Sequence, residues 1–440
     1  MNAIRRMISV ALVVATAGFA VPASAAQPDA AKPQDVLAAW YDLVLELVRH
    51  TPTYSPPVAS RSLAYIGVTA FEAVATGSDE LKSLAGQLNG LQPPPQRIAG
   101  AAYDEATVVH AALAAGVRNL FSNTGPTGQR VIGRLDAKLR TQISKGIPAD
   151  VAARSEAHGQ AVAAHILAWS QDDGGAVVEN MGFPLQYTLT AGPARWVPTS
   201  LVAQQQMPLL PNWGSNRTFA MPDGAACPLP DPFDYSEDKN SDFYKEALEV
   251  YEAKKTMTPE QIAIARFWSD DPMLSPTPPG HWVSIGLQIM WQDSLDLEKS
   301  VETLALLGVT LADAFVGCWH AKFEFDLVRP VTYIRRVIDP AWETLLITPP
   351  FPEYPSGHST QSGAAAEVLT KLFGEDFAFQ DATRQADGVK PRAFPSFWAA
   401  AEEAGISRLY GGIHFRAAIE RGLEQGRCVG AFANALQTRR

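Results

Sequence analysis

The chain has 440 residues, of which 47% are apolar and 19% are charged, so it can bury a large core and lacks the charge excess of a disordered protein. Lys and Arg number 36 against 46 Asp and Glu, which gives a formal net charge of -10. No Lys/Arg-rich run that could follow a phosphate backbone occurs, so the composition argues against nucleic acid as a partner.

The N-terminus has the pattern of a secretory signal peptide over residues 1–25. Arg5 and Arg6 precede an uncharged apolar run at positions 7–20, and the segment ends in Ala23-Ser24-Ala25, a small-residue cleavage site. The apolar run is short for a membrane span. We therefore expect cleavage near Ala25 and a secreted or periplasmic mature protein without a membrane span.

Apolar residues recur at three- and four-residue spacing along most of the chain, which is typical of helices. No segment alternates like a strand. The predicted fold class is therefore all-α, with an N-terminal helical bundle over 26–173 and a C-terminal helical bundle over 239–440. The spacing predicts helices over 36–48, 59–75, 101–120, 151–169, 243–254, 259–268, 281–291, 301–327, 359–373 and 397–409, and from 413 onward.

Between the two predicted bundles, residues 174–238 lose the helical spacing to Pro, Gly and Trp. A loop region of this length inside a compact fold is usually functional. Whether this irregular region covers a site stays open at this point.

Three cysteines, Cys227, Cys318 and Cys428, allow at most one intramolecular disulfide. The helix-like surroundings of Cys318 and Cys428 favour positions in the core. Cys227 lies in a Pro-rich loop and fits either role, so the pairing stays open.

Lys322 and Arg329 are the first group of residues that could carry chemistry. On one helix, a spacing of seven residues would bring both cations to nearly the same face, where they could converge on an anion. Pro330 would disrupt such a helix just beyond the arginine. Taken alone, a pair of this kind is more often a solvated surface.

The second group is Ser356, Gly357 and His358, at the start of a predicted helix. A hydroxyl and free backbone N–H groups at a helix start favour an anion. His358 would lie at the rim of this seat, where it could exchange a proton near neutral pH. The segment alone is also consistent with a purely structural helix cap.

The third group is Arg408 and His414, which lie on either side of Gly411-Gly412. The two glycines can end one helix and let both side chains turn toward the same cavity. Together the three groups supply three cations, a hydroxyl, a helix start and two histidines, and this set suits a tetrahedral oxyanion.

The order of these groups resembles a known signature: Lys, six residues, Arg-Pro; then Pro-Ser-Gly-His; then Ser-Arg, five residues, His. Type 2 phosphatidic acid phosphatases, bacterial non-specific acid phosphatases and vanadium-dependent haloperoxidases share it. The haloperoxidase branch is the most similar over residues 261–430, through Lys-Phe-Glu-Phe-Asp at 322–326, Phe-Pro-Glu-Tyr at 351–354, and Ile-Ala-Arg-Phe-Trp at 264–268 with Asp271 and Thr277-Pro278-Pro279. Phe351 is similar to the phenylalanine of chloride oxidisers.

This resemblance implies a vanadate cofactor and assigns residues to it. Lys322, Arg329 and Arg408 would neutralise the vanadate oxygens, and Ser356 and the N–H of Gly357 would hydrogen-bond to them.

The same resemblance implies that His414 is the metal ligand and, with the acid–base residue His358, the catalytic pair. Asp271 would pair with Arg408. The implied activity is oxidation of bromide or chloride by hydrogen peroxide, with vanadium as a Lewis acid. The organic acceptor and the oligomeric state, including a homo-oligomer, stay open.

Two alternatives use the same site. In an exported acid phosphatase acting on a phosphoester, His414 would form a phosphohistidine and His358 would protonate the leaving alcohol. The second alternative is a non-catalytic oxyanion-binding protein. The last element of the signature is an Asp that orients the ligand histidine, and Ala418 occupies its position here, so the site could bind an anion without turnover. Glu420 lies about 120° away around an ideal helix, so a backbone carbonyl could hold the ring instead.

Overall fold

The structure is a computed structural model that describes residues 31–199 and 207–440. The predicted signal peptide lies outside these residues. Within them the structure contains 13 α-helices and one small sheet, which confirms the all-α prediction. The helices are α1 (Pro33–Arg49), α2 (Pro56–Ala75), α3 (Glu105–Leu120), α4 (Gly125–Ile143), α5 (Ala149–Trp169), α6 (Asp242–Thr256), α7 (Pro259–Phe267), α8 (Thr277–Gln292), α9 (Leu297–Phe325), α10 (Pro330–Val337), α11 (Gly357–Phe373), α12 (Phe397–Tyr410) and α13 (Arg416–Asn434), and the antiparallel strands are β1 (Phe379–Asp381) and β2 (Arg392–Phe394).

The 29-residue helix α9 is the central element. It begins where the Asp296 side chain accepts a hydrogen bond from the N–H of Lys299 at 2.7 Å, and it ends at Phe325 because Asp326 adopts a left-handed conformation with φ 49°. By length and composition α9 could cross a membrane, but its whole apolar stretch is buried inside the fold. It therefore serves as a core helix.

Small residues bring α2 and α9 into close contact. A Cβ added to Gly67 would lie 2.8 Å from the carbonyl oxygen of Leu304, and one added to Gly308 would lie 2.9 Å from the Cα of Ala64. One hydrophobic cluster contains residues of α1, α2 and α3 together with residues of α8, α9, α11 and α12. The two predicted bundles thus share one core.

The irregular region between α5 and α6 holds the loops around α9 and α11 in place. The Trp196 N–H donates to the Asp326 carbonyl at 2.9 Å, the Leu209 N–H donates to the Pro350 carbonyl at 2.8 Å, and the Tyr354 hydroxyl donates to the Pro230 carbonyl at 2.7 Å. These bonds satisfy backbone groups that a long loop would otherwise leave unpaired. They also fix the segment that leads into α11.

Four elements were missing from the sequence prediction: α4, α10, β1 and β2. Helix α4 buries only Ile132, Asp136, Leu139 and Ile143, so its apolar stripe is narrow. Helix α10 begins with Pro330 at its first position, where proline is tolerated although it breaks a helix interior. The strands have three residues each, too few to show alternation.

Cys227 and Cys428 form a disulfide with their Cα atoms 5.9 Å apart. It ties the irregular region to α13. Cys318 is buried and carries a free thiol. Cys318 thus has the expected core position, whereas Cys428 is half-buried against a small core cluster and pairs with Cys227 of the Pro-rich loop.

Replacing Gly67 by alanine should lower the thermal unfolding midpoint, because the added Cβ would force α2 and α9 apart, and overpacking of this kind costs about 1–3 kcal/mol. Gly133 in α4 is the matched control, since no atom lies within 4 Å of a Cβ added there. Its replacement by alanine should be neutral or stabilising by up to about 1 kcal/mol. Scanning calorimetry compares the two variants, and equal midpoints would contradict the close contact.

Candidate active site

Three parts of the C-terminal half meet at one buried place: the last turn of α9, the start of α11, and the connection between α12 and α13. The three predicted cations lie there with side chains at most 2% exposed. Burying cations is costly unless hydrogen bonds compensate. The partners of each cation therefore define the site.

Lys322 is buried in the last turn of α9, and three backbone carbonyls surround its ammonium group. Its Nζ donates to the carbonyls of Pro352 at 2.9 Å and Glu353 at 3.0 Å, and also to that of Pro355. These are the three donors that an ammonium carries. Burial lowers the pKa of Lys322 to about 7, and Arg329 contributes to the lowering. Lys322 thus fixes the segment before α11 and places a charge beneath it.

The sequence suggested that Arg329 and Lys322 share one face of a helix, but in the structure they do not. Because α9 ends at Phe325, Arg329 is the N-cap residue of α10, and a turn brings it to the site. Its Nε donates to the Phe351 carbonyl at 2.9 Å and its Nη1 donates to the Ile413 carbonyl at 2.8 Å. Burial lowers the pKa of Arg329 to about 10, so it stays charged at neutral pH.

The second terminal nitrogen of Arg329, Nη2, is buried and has no hydrogen-bond partner within residues 31–199 and 207–440. Such donors are rare in folded proteins because they cost free energy. An oxyanion bound beside the guanidinium would satisfy it.

The protonation of His414 follows from its neighbours. Arg329 Nη1 lies 3.1 Å from His414 Nε2, and a guanidinium can only donate, so Nε2 carries the lone pair. The proton therefore sits on Nδ1, which donates to Glu353 Oε1 at 2.8 Å. Burial, followed by the charges of the three cations, holds the pKa of His414 well below its ordinary value. The ring is neutral, with an available lone pair at Nε2.

Glu353 is the functional residue that the sequence analysis did not assign. It is fully buried, and its Oε1 also accepts the Phe415 N–H at 2.9 Å. Burial raises the pKa of Glu353 to about 8, against the opposing effect of Arg329 and Lys322. The available signal was its place directly before Pro-Ser-Gly-His.

The position of the missing Asp has another role. Ala418 is buried, and its backbone carbonyl accepts the Ser356 N–H at 2.9 Å. Glu420 lies instead beside Arg416, 3.9 Å away, with a side chain that is 55% exposed. A carboxylate therefore orients His414, but it comes from the segment before α11 and not from α13.

Helix α11 begins where the sequence predicted. The Ser356 hydroxyl accepts the Ser359 N–H at 3.3 Å, and the Ser356 carbonyl accepts the Thr360 N–H at 3.0 Å. Within the described ranges no acceptor contacts the N–H groups of Gly357 and His358. Two free N–H groups at the positive end of a helix form an anion seat.

His358 lies between a cation and a carboxylate. Its Nε2 is 3.2 Å from Arg408 Nη1 and 3.7 Å from Asp270 Oδ2. Burial, and then the charge of Arg408, lower the pKa of His358 to about 4. The ring is therefore neutral at physiological pH and can accept a proton.

The predicted pairing of Asp271 with Arg408 is not formed in the described structure. Arg408 Nη2 donates instead to the Trp268 carbonyl at 2.7 Å, and the carboxylate that contacts the site is that of Asp270. Asp270 has a left-handed backbone with φ 49°. Asp271 lines the cavity, where burial raises its pKa and Arg408 opposes the increase.

A cavity of about 440 Å³ opens onto these groups. Its polar part includes Gly357, His358, Arg408 and His414. The irregular region contributes to its walls, so this region does cover part of the site. The apolar lining is formed mainly by Met181, Phe183, Leu209, Met273, Leu274, Phe315, Trp319, Leu346, Ile347 and Phe351.

Oxyanion binding should weaken as the pH rises above about 7, because Lys322 loses its proton there in the anion-free protein. A dianion favours the ammonium form, so above this pH binding must take up a proton and affinity should fall by up to about tenfold per pH unit. Calorimetric titration with tungstate, which keeps its charge near neutral pH, measures the slope. A Lys322→Met variant should flatten it, and a pH-independent affinity in the unmodified protein would contradict this account.

Comparison with known proteins gives matches of one kind. Residues 302–440 match the family model described as the second helical-bundle domain of VCPO. The vanadium chloroperoxidase of Curvularia inaequalis is 26% identical in a match that covers 36% of this chain and 36% of that protein. The chain thus matches just over a third of the length of this curated relative.

Solved structures extend the similarity to nearly the whole chain. A structure described as the first bacterial vanadium-dependent iodoperoxidase is 39% identical with a TM-score of 0.83, and the match covers 92% of this chain and 97% of that one. A holo-type bacterial vanadium-dependent chloroperoxidase shares the fold, with 17% identity, a TM-score of 0.67, and 88% of this chain and 92% of that one covered.

The 39% identity over almost the full length of a solved relative confirms the resemblance inferred from the sequence. The donor set fits the cofactor of that family: a neutral histidine whose Nε2 lone pair contacts only the hydrogen-bond donor Arg329 Nη1 within the described residues, three buried cations, an unpartnered guanidinium nitrogen and two free helix-start N–H groups. The chain belongs to the family of vanadium-dependent haloperoxidases.

Proposed function

We propose that this protein uses vanadate to oxidise a halide with hydrogen peroxide. The observation that carries the proposal is the state of His414, whose Nε2 lone pair faces Arg329 while its Nδ1 proton is held by Glu353. A histidine in this tautomer is prepared to bind a metal. Bound vanadate would supply a Lewis acid that makes peroxide electrophilic toward halide.

The protein groups around His414 would bind the cofactor and offset its charge. Lys322, Arg329 and Arg408 bring three positive charges, and the N–H groups at the start of α11 add hydrogen bonds. Because backbone carbonyls already fix these cations, little reorganisation is needed when an anion binds. Glu353 would make His414 Nε2 more basic by accepting the Nδ1 proton.

His358 would move protons at this site. Because its pKa is lowered to about 4, the ring is neutral and can take a proton from hydrogen peroxide. The protonated ring would be stabilised by Asp270, 3.7 Å away, and could then return the proton to a leaving oxygen. This is general acid–base catalysis by one residue.

Iodide is the halide with which we expect the fastest turnover. It is the most easily oxidised of the three common halides, and the relative that matches 97% of its own length is described as an iodoperoxidase. Phe351, which packs against Trp319 with ring centroids 4.8 Å apart, makes the floor of the cavity apolar beside the cations. We expect slower turnover with bromide, and the slowest with chloride, which is the hardest of the three to oxidise.

We also propose that the mature protein is exported after cleavage near Ala25. The disulfide between Cys227 and Cys428 supports this location, because such bonds persist in oxidising compartments.

Vanadate-loaded protein should oxidise iodide with hydrogen peroxide, and vanadate-free protein should not. A His414→Ala variant should lose this activity, because it removes the Nε2 lone pair. Triiodide absorbance measures turnover, and release of an aryl alcohol from an aryl phosphate measures the alternative. Phosphate release that vanadate inhibits, without halide oxidation, would instead identify a phosphatase.

Glu353→Gln should weaken vanadate binding about 10–100-fold, the usual effect of altering the residue that orients a metal-bound histidine. Glu420→Gln is the matched control, because within the described residues this exposed carboxylate pairs with Arg416 and not with His414. Equilibrium dialysis with vanadate measures both affinities. Equal affinities in the two variants would show that Glu353 does not support His414.

A further inference from the structure

A second group of ionisable side chains lies behind His358, on the side away from His414. His281 in α8 is 2% exposed and lies between two buried carboxylates. Its Nδ1 is 3.0 Å from Asp270 Oδ1, and its Nε2 is 2.8 Å from Asp381 Oδ2. A buried carboxylate–imidazole–carboxylate group needs a reason, because burying charge is costly.

Asp381 is the fixed end of this group. Its second oxygen, Oδ1, accepts hydrogen bonds from the backbone N–H and the hydroxyl of Thr383, at 3.0 and 2.7 Å. Both oxygens are therefore occupied, and Asp381 holds the Nε2 proton of His281 in place. The nitrogen of His281 that is left to exchange its proton is Nδ1.

Asp270 is the shared end. It contacts His281 Nδ1 through both oxygens, at 3.0 and 3.1 Å, and its Oδ2 is also 3.7 Å from His358 Nε2. The last distance exceeds a hydrogen bond, but catalytic contacts are often long before ligands bind.

A second cavity, of about 460 Å³, lies on the other side of Asp270. Asp270 lines both this cavity and the one that contains His414. His281 lines the second cavity but not the first. The second cavity reaches the surface beside α1, where its lining residues Asp42 and Glu46 are exposed. The Asp270 carboxylate thus lies between the active-site cavity and a second cavity that opens to solvent elsewhere on the surface.

The two cavities differ in character. The walls above His414 are mainly apolar, whereas the second cavity is lined largely by polar and charged groups. Oxidation of one halide ion by one hydrogen peroxide consumes one proton and yields hypohalous acid and water. An apolar substrate cavity supplies protons poorly, so a polar route on the other side would serve the reaction.

We propose that the second cavity supplies the protons for His358, through His281 and Asp270. Protonated His281 gives its Nδ1 proton to Asp270 Oδ2, 3.1 Å away, and the same oxygen passes that proton to His358 Nε2. His281, now neutral with its Nε2 proton held by Asp381, regains a proton at Nδ1 from water in the second cavity. One proton moves along the route, and the contact between Asp270 Oδ2 and His358 Nε2 shortens from 3.7 Å to hydrogen-bond distance for the last step. The proposal rests on the proposed haloperoxidase function.

The charges around His281 keep it protonated and oppose release of the proton, so transfer requires the negative charge of the bound anion to raise the pKa of His358 above its anion-free value of about 4. Burial lowers the pKa of His281, but Asp270 and Asp381 outweigh it and raise the pKa to about 10. His281 is thus a protonated reservoir. Its other close neighbours, the rings of Phe267 and Trp268, carry no charge. The charged groups that line the second cavity are Asp42, Glu46, Arg49, Arg384 and Asp387, and Arg49 and Asp387 pair at 2.5 Å.

The test compares His281→Gln with His110→Gln in the vanadate-loaded enzyme. His110 is a matched control: it is 3% exposed and pairs with a carboxylate, Asp136, at 3.0 Å, but lies in α3 away from the site. In His281→Gln, turnover at alkaline pH should fall about 100-fold, the lower end of the usual contribution of a positioned proton-transfer group. The loss should shrink as the pH falls, and the solvent deuterium isotope effect should increase.

Added imidazole should restore alkaline turnover in His281→Gln, because it can enter the second cavity and donate a proton. His110→Gln should keep the unmodified pH profile and show no response. If His281→Gln halogenates with an unchanged pH profile and isotope effect, the proton route is wrong although the haloperoxidase function stands.

Ser284→Phe covers the case in which His281→Gln fails to fold. Ser284 lines the second cavity without contacting the carboxylates, so a larger side chain should block the route and give the same alkaline loss. An unchanged profile would overturn the proposal.

If the unmodified enzyme oxidises no halide, the proposed function fails. The link between His281 and His358 is then tested by measuring the pKa of His358 in vanadate-free protein by imidazole nitrogen NMR. The pKa of His358 should then rise in His281→Gln, because a nearby positive charge is removed. No change would also refute the link between His281 and His358.

Discussion

The hydrogen bond between His414 Nδ1 and Glu353 Oε1 is the contact on which the site depends. Without it, the contact with Arg329 would still favour a lone pair at Nε2, but the Nδ1 proton would have no acceptor and the ring would not be held in place. With it, the Nδ1 proton has a fixed acceptor and the Nε2 lone pair is directed at Arg329. The same oxygen binds the Phe415 N–H, so Glu353 also fixes the backbone that carries the histidine. Arg329 and Glu353 together therefore set the tautomer of His414, and Glu353 also sets its position.

Burying three cations at one place requires compensation, and most of it comes from the backbone. Lys322 binds carbonyls of the segment before α11, Arg329 binds those of Phe351 and Ile413, and Arg408 binds that of Trp268. Each cation thus connects loops through hydrogen bonds to their carbonyls. Its charge is not neutralised, because no carboxylate within the described residues pairs with it directly. The result is a rigid positive site, and such preorganisation is what favours an anion over water.

Sequence reasoning predicted the helical fold and proposed eight site residues, because helical spacing and a three-part signature are local patterns. It misjudged contacts that depend on where a chain turns. Lys322 and Arg329 were placed on one helix, although Asp326 ends α9 between them. Asp271 was expected beside Arg408, but a left-handed Asp270 presents its own carboxylate. The role of Glu353 requires knowing that two segments 61 residues apart meet.

The displacement of the orienting acid from position 418 to position 353 has a packing reason. Helix α13 lies directly against α11: a Cβ on Gly422 would be 2.7 Å from the Ser359 Cβ, and one on Gly426 would be 2.4 Å from the Thr360 carbonyl. Ala418 begins this row of small residues, four positions apart, and its own carbonyl binds Ser356. A small residue at 418 thus keeps α13 close to the anion seat, and the segment before α11 is then the nearest source of a carboxylate for His414.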